Sequence, residues 1–237
     1  MIKKVLLVLF CFQLAACDPA ALQRTMDALG STGLTSAEVS SGLKEALEIG
    51  IGKGSEALSV RDGFYKSAYK ILLPPEAQKV ANKLRNVPGF SNVEDKILEK
   101  INRGAEDAAK KAKPIFVSAI RQMTFSDAMN ILMGEQNAAT SFLNRTTSDA
   151  LYKEFNPVIV QSLDKFDARK YWSDAVNAYN KIPLVEKANP DLDDYVTQQA
   201  LNGLFSMVEK EELNIRTNIA ARTSDLLKKV FAKQDKK

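Results

Sequence analysis

Apolar side chains recur every three or four residues through most of this chain, and no clear two-residue alternation appears. That period constrains the fold more than any other feature. Val93, Ile97, Ile101, Ala105 and Ala108 form one stripe, and Leu151, Phe155, Ile159, Leu163 and Phe166 form a second. Trp172, Ala175, Val176 and Tyr179 make a third. Leu192, Tyr195, Val196, Ala200, Leu204 and Val208 make a fourth, widened by Leu201 and Phe205. Leu226, Leu227, Val230 and Phe231 make the last. Each stripe covers one face of a helix and has to be buried against a neighbour. No Asn-Gly or Asp-Gly hairpin flanked by strands occurs. The expectation is an all-α, single multi-helix, bundle-like domain of about eight to eleven helices over residues 35–237.

The stretch from Ile115 to Met133 is apolar in nearly every direction. It predicts two short helices at the centre of the bundle, divided near Thr124 and ended by Gly134. The prolines at 74, 75, 88, 114, 157, 183 and 190 are expected mostly to bound helices. Thr35/Glu38, Ser91/Glu94, Thr124/Asp127 and Thr146/Asp149 have capping-box spacing and predict helix starts. Gly50 and Gly54, four residues apart, suit the close approach of a second helix. The run Gly50 to Ser55 fails as a phosphate loop, because its spacing is wrong and no strand precedes it.

The N-terminus carries an address. Lys3 and Lys4 precede about ten apolar residues and the small residues Ala15-Ala16, which reads as a secretory signal over residues 1–16. Leu14-Ala15-Ala16-Cys17 resembles the lipobox of bacterial lipoproteins, in which the Cys becomes the first mature residue and carries diacylglycerol. The expected partner is therefore a membrane, held through acyl chains on Cys17, with the body facing the periplasm. Which membrane holds it stays open. Residues 17–34 read as the lipidated start and a tether. Cys11 leaves with the signal, so the mature chain can form no internal disulfide. Loss of Lys3 and Lys4 takes the basic residues from 33 to 31 against 29 acidic ones, a near-neutral body for which no nucleic-acid partner is expected.

The chain has no histidine. Ser-His-Asp and Cys-His mechanisms and His-ligated zinc are thereby excluded. No metal and no cofactor is expected. Asp191, Asp193 and Asp194 lack the Gly and Glu offsets of a calcium loop and read as an acidic helix start. Asn144-Arg145-Thr146 is a glycosylation sequon that a bacterial lipoprotein does not normally present to that machinery. Lysines 228, 229, 233, 236 and 237 suit a helix C-terminus.

Polar residues inside apolar stretches carry more information. Asn102, Arg103 and Glu106 interrupt one stripe, and Arg103 and Glu106 are placed to pair. Arg216 and Arg222 lie near the C-terminus, with Glu212 four residues before Arg216. These five residues are surface ion pairs, a buried network that sets helix register, or the lining of a cleft. A catalytic alternative uses Glu106 as acid or base, with Asp127 as its second carboxylate.

Several longer stretches also look familiar. They include Gly42 to Leu47, Asp62-Gly63-Phe64, Asn102 to Glu106, Asp127 to Gly134, Ala138 to Thr140, Tyr195 to Thr197, Ala200 to Phe205, Ile215-Arg216 and Ala221 to Phe231. On these residues the chain resembles DUF4197, a bacterial family of unknown function. The resemblance implies an all-helical envelope protein, often a lipoprotein, and supplies no activity. The family pattern has Ala at the position of Gly104. Two functions are compatible with these residues. The first is a non-enzymatic binding or scaffold module for an envelope protein or an apolar ligand. The second is a carboxylate-dependent hydrolase acting on envelope polymer.

Overall fold

A computed structural model describes residues 35–86, 88, 91–165, 167–188 and 192–232. The signal, Cys17 and the tether lie outside these residues, as do Phe166, Asp191 and the lysines at 233, 236 and 237. Among the described residues the chain is all-α, with nine α-helices, one 3-10 turn and no strand. They are α1 (Ser36–Ser59), α2 (Pro75–Leu84), α3 (Val93–Ala109), α4 (Ala112–Gln122) and α5 (Phe125–Met133). After these come α6 (Ala138–Lys165), α7 (Ala168–Tyr179), α8 (Asp193–Thr217) and α9 (Asp225–Phe231), with the 3-10 turn Ile219–Ala221 before α9. No described helix is long and apolar enough to cross a membrane.

The stripes become the core. Ile97, Ile101, Ala105 and Ala108 of α3 are buried, as are Leu151, Phe155, Ile159 and Leu163 of α6 and Val196, Ala200, Leu204 and Val208 of α8. These three helices pack on one another and form the centre. The helix α7 packs on α2, α3 and α6 through Trp172, Ala175 and Val176. The helix α1 runs antiparallel to α8. A methyl on Gly50 would stand 3.5 Å from Glu211 Cβ, and one on Gly54 would stand 3.0 Å from Met207 Cγ, so the glycine pair does admit a close approach.

Four expectations are corrected. The helices α4 and α5 are separate, divided by a full capping box at Thr124/Asp127 and closed at Gly134, as predicted. They are not central, however. Phe116, Ile120 and Ile131 are buried, while Ile115, Val117 and Phe125 are half-exposed and Met133 is exposed. All-round apolarity here includes side chains left at the surface. Thr146 starts no helix: it lies inside α6, and its hydroxyl donates back to Phe142 O at 2.8 Å. The start of α3 is Asn92 rather than Ser91, with no side-chain cap. Pro157 lies inside α6 and bounds nothing. A helical proline costs about 3 kcal/mol, and the buried stripe on both sides of it, from Leu151 to Leu163, outweighs that cost.

Gly104 has room. A methyl there would meet Ser162 Cβ at 3.5 Å and Leu163 Cδ2 at 3.6 Å, which is ordinary contact. Gly203 has none, because a methyl would stand 2.7 Å from Phe64 Cε1. Gly104→Ala should therefore raise unfolding free energy by about 0.5–1 kcal/mol. Gly203→Ala should lower it by about 1–3 kcal/mol. Denaturant midpoints of both variants check the pair.

Candidate functional site

The five polar residues picked out from the sequence fall into two networks, one on α3 and one near the end of α8. The first begins where α1 ends. Asp62 has a positive φ of 71° and Gly63 packs on the last carbonyls of α1, so the chain turns sharply. A Cβ on Gly63 would stand 2.5 Å from Ala57 O. This turn leaves backbone donors without helical partners, and α3 supplies the acceptor. The Phe64 and Tyr65 N–H groups donate to Oε1 of Glu106 at 3.2 and 3.1 Å. Arg103 Nη1 donates to Oε2 of Glu106 at 2.9 Å, and its Nη2 donates to Asp62 Oδ1 at 2.8 Å. The guanidinium also lies over the Tyr65 ring, 5.0 Å from its centroid. One turn back on α3, Asn102 imitates a strand neighbour. Its Oδ1 accepts from Ile71 N at 2.8 Å and its Nδ2 donates to Ile71 O at 2.9 Å.

The electrostatics follow from these contacts. The Arg103 hydrogen bond holds the Asp62 carboxyl below its usual range, and Lys66 adds to the effect. Burial opposes the Arg103 charge, but hydrogen bonds to Glu106 and Asp62 outweigh it and raise the guanidinium further. Nearby, Lys110 and then the Ser162 hydroxyl hold Asp107 low.

The second network joins the ends of three helices. Glu212 of α8 is 6% exposed, and it accepts from the Ala139 and Thr140 N–H groups at 2.9 and 2.8 Å. Those are free donors in the first turn of α6, so Glu212 caps that helix from another element. The Thr140 hydroxyl donates to the same carboxylate at 2.8 Å. Arg216, 7% exposed, donates to Glu212 Oε1 at 2.8 Å and to Ile131 O, in the last turn of α5, at 2.8 Å. Arg222, 2% exposed, donates to Ile215 O and Arg216 O near the end of α8. The charge signs match the helix dipoles at each end.

The charged side chains of both networks are taken up by hydrogen bonds. A groove of about 800 Å³ lies elsewhere, bounded by α4, α5 and α6. Its apolar lining includes Pro114, Ile115, Ala119, Phe142 and Ala150, and its charged lining is Asp127, Arg145, Lys153 and Glu154. The structure thus sends the two carboxylates of the catalytic alternative to different places. Both oxygens of Glu106 are engaged inside the turn network. Asp127 lines the groove, with Oδ2 accepting from Thr124 N and Oγ1 at 2.9 and 2.7 Å. Asp193 pairs with Arg169, Asp194 accepts from the Tyr152 hydroxyl, and no group of metal-ligating side chains occurs among the described residues.

Sequence reasoning missed Asp62 as the partner of Arg103, because the two are 41 residues apart. Of the groove side chains it named only Asp127 as a candidate. Arg145 stood out only as the middle of a sequon. No local spacing marks a groove assembled from three helices.

Two outcomes follow from the networks. Asp62 is depressed in the fold. The stability it contributes is complete above the unfolded carboxylate value of about 3.9 and is lost as pH falls through the lower folded value. Asp62→Asn should be less stable than wild type at pH 7, and urea titrations should show the difference shrinking below about pH 4. Glu212→Ala leaves a buried guanidinium and two N–H groups unpaired and should cost about 3–5 kcal/mol, read from the same unfolding curves.

No curated protein and no solved structure matches the chain. The family model described as "Protein of unknown function (DUF4197)" matches residues 33–232. With nearly the whole helical body matched, the chain belongs to the DUF4197 family.

Proposed function

We propose that this chain is a binding module of the bacterial cell envelope, tied to a membrane through lipidated Cys17, and that its ligand site is the groove along α6. The observation that carries the reading is the groove itself. Its volume of about 800 Å³ falls in the range of small-ligand sites, about 300–1,000 Å³. An apolar wall beside a few charged groups suits a molecule with an apolar body. The engaged state of Glu106 supports a structural rather than a chemical role for that carboxylate. The tie at Cys17 rests on Leu14-Ala15-Ala16-Cys17 alone.

The second reading, a carboxylate-dependent hydrolase of envelope polymer, has one supporting observation: Asp127 and Glu154 line the same groove. Against it, Asp127 is occupied as a helix cap, and Glu154 is exposed beside Lys153.

Ala150 is exposed within the groove, so Ala150→Trp should fill the groove without disturbing the core. Native mass spectrometry of the full chain should find a co-purifying small molecule in wild type and none in Ala150→Trp. No bound molecule in wild type, or equal occupancy in the variant, contradicts the reading. A partner protein lost on the same substitution would reassign the groove to a protein ligand. Cys17→Ser should move the protein from the membrane fraction to the soluble fraction and abolish labelling by radioactive palmitate.

A further inference from the structure

Beside the groove, on the α8 side of α6, lies a second cleft of about 540 Å³. Its character is different. Asn137, Asn144, Asn202, Ser141 and Ser206 line it, side chains that both donate and accept hydrogen bonds. Arg145 lines both cavities, so they meet at its side chain. Its guanidinium lies 5.8 Å from the centroid of the Phe142 ring. Among the described residues Arg145 is exposed and has no ion-pair partner.

We propose that the ligand is a singly anionic amphiphile, with its chain along the apolar groove, its anionic group on Arg145 and a hydroxylated head in the amide-lined cleft. This rests on the groove being the binding site. The groove side chains Phe142, Thr146, Ala150 and Lys153 share one face of α6 at spacings of three or four residues. From Phe142 to Glu154 that face runs about 18 Å, which suits an extended chain lying lengthwise. A planar guanidinium at the junction matches a carboxylate or a phosphate, and both bind it through paired N–H donors. The other cation of the groove, Lys153, stands about 12 Å further along the helix, beside Glu154. Glu209 lines the polar cleft and disfavours a second anion there, which limits the ligand to one negative group at Arg145.

The test uses the full chain in a nonionic detergent and native mass spectrometry with three probes of equal chain length. Lauroyl lysophosphatidylglycerol carries the anion and a hydroxylated head, laurate carries the anion alone, and monolaurin carries the hydroxyls without charge. Lysophosphatidylglycerol should bind about tenfold or more tighter than monolaurin, the effect of one charge-assisted hydrogen bond. Arg145→Gln should erase that difference and leave monolaurin unchanged. Asn202→Ala should weaken lysophosphatidylglycerol and spare laurate, which separates a lipid head from a free fatty acid. Equal binding of charged and neutral probes, or an unchanged ratio in Arg145→Gln, overturns the proposal. If Ala150→Trp still loses all three probes in that case, the groove stands and only the ligand class falls. If Ala150→Trp loses none, or no probe binds to wild type, both readings fall.

Discussion

Buried carboxylates that take backbone N–H groups from a distant part of the chain hold this fold in register. Glu106 does so for the turn after α1, and Glu212 does so for the first turn of α6. A turn or a helix start that packs inside a protein has donors that water does not reach, and each one left unpaired costs free energy. A carboxylate satisfies two at once. Its own burial is offset by Arg103 in one case and Arg216 in the other. Removing either acid therefore exposes several deficits together, and exchanging a whole pair for apolar side chains would remove the buried charge but still leave the two N–H groups unpaired.

The second network bears directly on the groove. Glu212 sets where α6 begins, and Arg216 binds the carbonyl end of α5. Those two helices bound the groove with α4, so one ion pair on α8 sets the relation between two of its walls. The first network does comparable work for the chain that follows α1. It docks Phe64 against Gly203 and, through Asn102, positions the segment that leads into α2. A groove shaped by polar clamps at helix ends can keep its geometry while its own lining stays open to solvent.

Much of this was legible in the residues and some was not. Helices appear wherever an apolar stripe was readable, because burial of one face decides both the period and the packing. The division at Thr124 was legible because a capping box is local chemistry. Thr146 carried the same local pattern and misled, since the stripe from Leu143 to Leu163 runs straight through it. Pro157 misled for the same reason. Glu212 and Arg216 were readable as a pair at i,i+4, but Ala139, Thr140 and Ile131 lie 72 to 85 residues away and no spacing announces them. The groove was illegible because each wall contributes only a few ordinary residues.

The claim at the centre is that carboxylates, rather than water, hold the N–H groups of Phe64, Tyr65, Ala139 and Thr140. Amide hydrogen exchange measured residue by residue tests it most directly. All four amides should exchange as slowly as amides in the middle of α3, although two of them lie in a turn and two in the first turn of a helix. Exchange at the rate of an open loop would contradict the account.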